Sequence, residues 1–100
     1  MAANVYISQL LDLYGAILPE KQFRILDRYY NEDLSLSEIA ENEGITRQGV
    51  SDFVKRGEAQ LEEYEKKLGL CATVNVLRQQ AEEVRLGADV GKLLDIIDNI

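Results

Sequence analysis

One hundred residues, 46% of them apolar, with a single proline and a formal net charge of −7, bound a small globular chain with one core, helical rather than disordered in composition. Cys71 is the only cysteine and there is no histidine, which excludes an intrachain disulfide, a zinc knuckle and a Cys/His nucleophile; no cofactor is expected, and a reducing cytoplasm fits best. A chain this short gains stability by pairing, so a homodimer is expected.

The N-terminal stretch MAANVYISQLLDLYGAIL is apolar, yet it has no basic leader and carries Asp12 on its helical pattern, so it reads as neither a signal peptide nor a membrane span. Tyr6, Leu10, Leu13 and Ile17 recur at helical spacing, with Ile7, Leu11 and Tyr14 widening the stripe, which predicts a first helix over Asn4 to Tyr14, ended near Gly15. Pro19 suits the first position of a second helix, which places Phe23, Leu26 and Tyr30 on one side and Glu20, Arg24 and Asp27 on the other. Asn31, Glu32 and Asp33 end it.

Ser35-Leu36-Ser37-Glu38 has the pattern of a capping box, so a short third helix starts here and stops at Gly44. Thr46 offers the next N-cap, and the segment after it keeps an apolar seam through Val50, Val54, Gly57, Leu61, Tyr64 and Leu68, predicting a long fourth helix closed by Lys66, Lys67 and Gly69. A further seam runs through Leu70, Val74, Leu77, Ala81 and Val84, breaks around Gly87, and resumes as Val90, Leu93, Leu94 and Ile97. The expectation is an all-α fold of five to six helices in one domain: a core over 1–68 and a C-terminal helical extension over 69–100, whose seams serve dimerisation.

The third and fourth helices fit a helix-turn-helix, which needs a small residue where the helices cross, a glycine in the turn and apolar residues beneath the second helix. Ala40 permits the approach, Gly44 takes the positive φ, and Ile45, Val50 and Phe53 fill the space underneath; Glu43 stands where an apolar residue is more usual. With Val50, Phe53, Val54 and Gly57 inward, Arg47, Gln48, Ser51, Asp52 and Lys55 turn outward together. Arg47 and Gln48 lie at the N-terminal end that meets base edges, with chemistry suited to guanine and adenine. Thr46 and the free N–H groups of the first turn suit one phosphate, and Lys55 and Arg56 the flanking backbone.

Charge opposes this assignment everywhere but in the motif itself. Up to Ile45 only Lys21, Arg24 and Arg28 face eight carboxylates, and from Gly57 onward five cations face nine; Thr46 to Arg56 alone is basic, with Arg47, Lys55 and Arg56 against Asp52. Three cations release few counterions, so DNA binding is expected to be weak in a monomer and to depend on a dimer spanning two half-sites. Acidic faces such as Glu62, Glu63 and Glu65 suit a basic partner instead.

Catalytic readings fail on chemistry. The glycines of Gly44-Ile45-Thr46-Arg47-Gln48-Gly49 have phosphate-loop spacing, but Val50-Ser51 follows where lysine and a hydroxyl residue are needed, and Glu62-Glu63 and Glu82-Glu83 diverge on a helix. Cys71 has no base or resolving partner and reads as a packing residue. The chain is not expected to be an enzyme.

Across LLDLYGAILPEKQ, YYNEDLSLSEIAENEGITRQGVSDFVKR and LEEYEKKLGL, roughly Leu10 to Leu70, the sequence closely resembles the YlxM-like family of small bacterial helix-turn-helix proteins, themselves similar to region 4 of sigma-70-type factors. The resemblance implies a DNA-binding regulatory protein connected with the signal recognition particle, whose genes lie beside those of the family. Its partners would be DNA, the particle's GTPase or its RNA, and a second copy of the chain. Arg47, Gln48, Ser51 and Lys55 would then carry readout, with Thr46 and Arg56 on phosphate; the alternative is an adaptor or modulator of the particle that does not bind DNA. The chain departs from the family at Pro19, where Ser or Thr is commoner, at Gly49 and Gly57, and after Leu70. Each glycine costs about 1 kcal/mol against alanine in a helix, or else permits close packing.

Overall fold

The computed structural model describes residues 4–85 and 96–98 and is all-helical there: α1 (Val5–Tyr14), a 3-10 turn (Gly15–Ile17), α2 (Glu20–Tyr30), α3 (Leu36–Glu43), α4 (Arg47–Leu68) and α5 (Leu70–Arg85). The chain divides into two compact units, Met1–Leu68 and Gly69–Ile100. Among the described residues no helix is long and apolar enough to cross a membrane.

In the first unit α1 starts where the Asn4 side chain accepts from the Ile7 N–H at 3.2 Å. Its core face is Ile7, Leu10, Leu11 and Tyr14, while Tyr6, Leu13 and Ile17 are exposed. The expected stripe is therefore turned by one residue. Apolar side chains run almost round this helix, so periodicity alone leaves its orientation open, and packing against the later helices selects the face. Gly15 stays right-handed and leads into the 3-10 turn; a Cβ there would lie 2.6 Å from Phe23 Cε1, so the missing side chain lets that ring lie against the turn.

Pro19 is the N-cap of α2 rather than its first residue, because its ψ of 142° is extended; its carbonyl accepts from the Phe23 N–H at 2.9 Å. The buried residues of α2 are Gln22, Ile25 and Leu26. Leu26 is placed as expected, but Phe23 is exposed on the rim and Ile25 takes the central core position. Beyond α2, Asn31 donates to Asp27 Oδ1 at 2.7 Å and accepts from the Ser8 hydroxyl at 2.6 Å, which ties the loop back to α1, and Asp33 adopts a φ of 58°.

Both arms of the capping box form: the Glu38 N–H donates to Ser35 Oγ and the Ser35 N–H to Glu38 Oε1, each at 3.1 Å. Ser35→Ala is expected to cost about 1 kcal/mol, read as a lower urea midpoint with an unchanged slope. Gly44 ends α3 in the left-handed region at a φ of 68°, and the Gly49 N–H donates to Thr46 Oγ1 at 3.0 Å to open α4.

The core is built on α4, which packs against α1, α2 and α3. Ile7, Leu10, Leu11, Ile25, Leu26, Ile39, Val50 and Leu61 are its fully buried side chains. At the crossing of α2 and α4 a Cβ on Gly57 would lie 2.3 Å from Leu26 Cδ1, so this glycine permits the contact. Farther along α4 the Tyr14 and Tyr64 rings lie 5.9 Å apart and the Tyr14 hydroxyl donates to Glu65 Oε1 at 2.6 Å. Tyr64 is half-buried, whereas Leu68 is exposed.

In the second unit Gly69 has a φ of 65° and its carbonyl accepts from the Thr73 N–H at 3.1 Å to open α5. Cys71 is buried, with the Asn75 amide 3.6 Å from its sulfur. Val74, Leu77 and Val84 of the expected seam are half-buried, while Leu70 and Ala81 are exposed. Gly87 and the resumed seam at Val90, Leu93 and Leu94 lie outside the described residues; Ile97 is exposed.

Candidate nucleic-acid interface

The turn from α3 to α4 rests on three devices. Ile39 and Ala40 are buried where the helices meet, Gly44 supplies the left-handed residue, and the Ile45 N–H closes back onto the Ala40 carbonyl at 3.2 Å. Glu43, the expected misfit, instead ties α3 to α2. Arg24 donates to both of its carboxylate oxygens at 2.7 Å and Arg28 donates to Oε2 at 2.9 Å, with the Glu43 side chain only 6% exposed. The hydrogen bond from Arg24 holds the carboxyl of Glu43 below the usual carboxylate range, outweighing burial, which pushes the other way. An ion triad therefore does what an apolar residue does elsewhere, and its partners lie too far off in sequence for local pattern to reveal them.

With the turn so fixed, Thr46 and the first two residues of α4, Arg47 and Gln48, are exposed. Thr46 is occupied as the cap, leaving the other first-turn N–H groups open to an anion. Arg47 lies between two shallow hollows. One, of about 390 Å³, is lined by Leu36, Arg47, Gln48 and Ser51. The other, of about 350 Å³, is lined by Arg47 together with Tyr29 and the segment Asp33–Leu36 and Glu38.

The remaining site residues are less uniform than helical spacing predicts. Ser51 is half-buried on the α3 flank, and Lys55 is exposed. Gln48 donates from its amide to Asp52 Oδ1 at 3.0 Å, so the side chain suited to adenine is held by a neighbouring carboxylate. Asp52 is thereby a partner of the candidate readout residue Gln48, and their i,i+4 spacing was the signal.

Phe53 departs furthest from expectation. It is half-buried at the edge of α4, not sealed beneath it, and its ring is flanked by two cations: Lys21 Nζ at 5.4 Å and the Arg56 guanidinium at 4.9 Å from the centroid. Arg56 also reaches the Asp52 carbonyl at 3.4 Å. An aromatic ring under cations is a favourable seat because its face is electronegative.

A left-handed turn between α3 and a long α4 whose first residues are exposed while Val50 is buried beneath defines a helix-turn-helix protein. Residues 1–96 match the family described as "Putative helix-turn-helix protein, YlxM / p13 like" (UPF0122), and the chain belongs to that family. It is 45% identical over 94 residues to a UPF0122 protein of Clostridium perfringens (strain 13 / Type A), covering 94% of this chain and 82% of that one. A UPF0122 protein of Acetivibrio thermocellus is 48% identical over 87% of this chain and 72% of its own length, and one of Limosilactobacillus reuteri (strain DSM 20016) is 45% identical over 82% and 73%.

Proposed function

We propose that this protein is a DNA-binding regulator that reads the major groove with the first turns of α4. The observation that carries the reading is the exposed, Thr46-capped start of α4, with Arg47 projecting beside a turn held by Gly44 and the Glu43 ion triad. Arg47 is the guanine reader, Gln48 and Ser51 complete the base-facing set with Lys55, and Thr46 and Arg56 serve phosphates. The few cations of this face make two half-sites about one helical turn apart the economical arrangement, with a homodimer formed through residues 69–100.

Capture of genomic fragments by the purified protein near physiological salt tests the assignment. The wild type is expected to enrich a small set of sequences. Arg47→Ala with Gln48→Ala is expected to lose that preference, at about 1–3 kcal/mol per base contact, while melting as the wild type does. A double variant that keeps the preference overturns the residue assignment. A second reading, an adaptor for a protein or RNA component of the signal recognition particle, draws on the net charge of −7 and the exposed Glu62 and Glu63. Absence of enrichment by the wild type would favour it.

A further inference from the structure

Lys21 and Arg56 belong to different helices and are far apart in sequence, yet both are seated on one ring, Phe53, at 5.4 and 4.9 Å. Among the described residues neither forms an ion pair. Both side chains are exposed, so their charges are available to an incoming ligand. The nearly buried carboxylate of Glu43 pairs with Arg24 and Arg28 and feels Lys21 only at longer range, so it does not cover the Lys21 ammonium.

The geometry points to Lys21 and Arg56, held over Phe53, as a clamp for the phosphodiester backbone of DNA along the α2–α4 edge. Two like charges gathered on one ring repel each other until an anion lies between or beside them, and the stacking has already restricted the rotamers of two long side chains. A phosphate therefore gains both charges with little further ordering. On the helical wheel Phe53 and Arg56 lie on the flank of α4 opposite Arg47 and Ser51, so backbone contact on this side leaves the base-facing set free. This rests on the DNA reading above and adds Lys21 and Phe53 to it; Phe53 is a positioning residue, which orders the cations without touching the ligand.

The test is the salt dependence of binding to a mixed-sequence duplex, followed by fluorescence anisotropy with the full chain over a series of potassium chloride concentrations. Lys21→Gln and Arg56→Gln are each expected to shrink the slope of log K against log salt by about one. Lys66→Gln, which removes an exposed cation from the last turn of the same helix, is expected to leave it unchanged. Phe53→Leu keeps apolar bulk but removes the π face, and is expected to weaken binding several-fold while circular dichroism shows unchanged helix. Unchanged slopes in Lys21→Gln and Arg56→Gln, or an equal loss in Lys66→Gln, would overturn the clamp. Slopes that fall as expected in a protein without sequence preference would keep the clamp and discard the base-reading assignment. A wild type that binds no duplex discards both.

Discussion

Gly57→Ala is expected to destabilise the protein by about 1–2 kcal/mol, the opposite sign to helix propensity. Alanine in the middle of α4 would by itself gain about 1 kcal/mol over glycine. Its Cβ, however, would stand 2.3 Å from Leu26 Cδ1 and 3.0 Å from Leu26 Cγ, and Leu26 is completely buried, so it cannot turn aside without moving its neighbours. Overpacking of this kind costs about 1–3 kcal/mol or somewhat more, and here it exceeds the propensity gain. At this chain length each kcal/mol moves the melting temperature by about 4–8 °C. Gly57→Val, with a branched side chain at the same crossing, is expected to fall further still. Gly49→Ala serves as the contrast, since its Cβ would meet Thr46 Oγ1 at 3.2 Å, a contact relieved by a shift of a few tenths of an ångström, and the Ile45 side chain beyond, so the propensity gain should survive in part and the melt should not fall. A Gly57→Ala protein that melts above the wild type would refute the close approach of α2 and α4.

Removal of the Glu43 carboxylate is the second large effect expected. Glu43→Ala strips the common partner from Arg24 and Arg28 and leaves two guanidinium groups facing each other. Breaking a fully buried pair costs about 3–5 kcal/mol, but the arginine side chains are 40% and 29% exposed and regain water, so about 1–2 kcal/mol is expected for the loss of Glu43. The pH dependence follows from the lowered carboxyl of Glu43: its contribution is complete above the carboxylate range of the unfolded chain and disappears as pH falls through the depressed folded value. Glu58 works in the other sense. Burial, and then the neighbouring Glu62, raise its carboxyl, so ionising it as pH rises costs stability. Urea unfolding of the wild type and Glu43→Gln from neutral to acid pH therefore isolates the triad as a difference. The wild-type advantage should shrink toward acid, and a constant gap would contradict the ion-pair account.

These two residues mark where the sequence stops being legible. Ser35 with Glu38, Gly44 and Thr46 could be placed from the sequence because each acts on backbone groups within a few residues, and their caps and turn occur where spacing puts them. Gly57 reads locally as a weak point in a helix; only its neighbour Leu26, on another helix, turns it into a requirement. Glu43 looks misplaced until Arg24 and Arg28 are seen beside it. The face of α1 was ambiguous for a related reason, since Tyr6, Leu13 and Ile17 repeat as regularly as the residues that are buried. Within the candidate site, the outward positions of Arg47, Gln48 and Lys55 follow from helical geometry, whereas the hold of Asp52 on Gln48 and the placing of Phe53 between Lys21 and Arg56 depend on side-chain contacts that periodicity does not encode.

The seating of Lys21 and Arg56 on Phe53, in a chain with a large excess of carboxylates, also bears on how the molecule meets any polyanion. If that edge is the clamp proposed above, approach there is favoured, while exposed carboxylates of the same helix such as Glu62 and Glu63 resist it. Such an arrangement would exert a torque during diffusion, turning the proposed edge forward before contact and shortening misaligned encounters. Added salt weakens the repulsion as well as the attraction, so raising ionic strength relaxes the orientational filter while it lowers affinity.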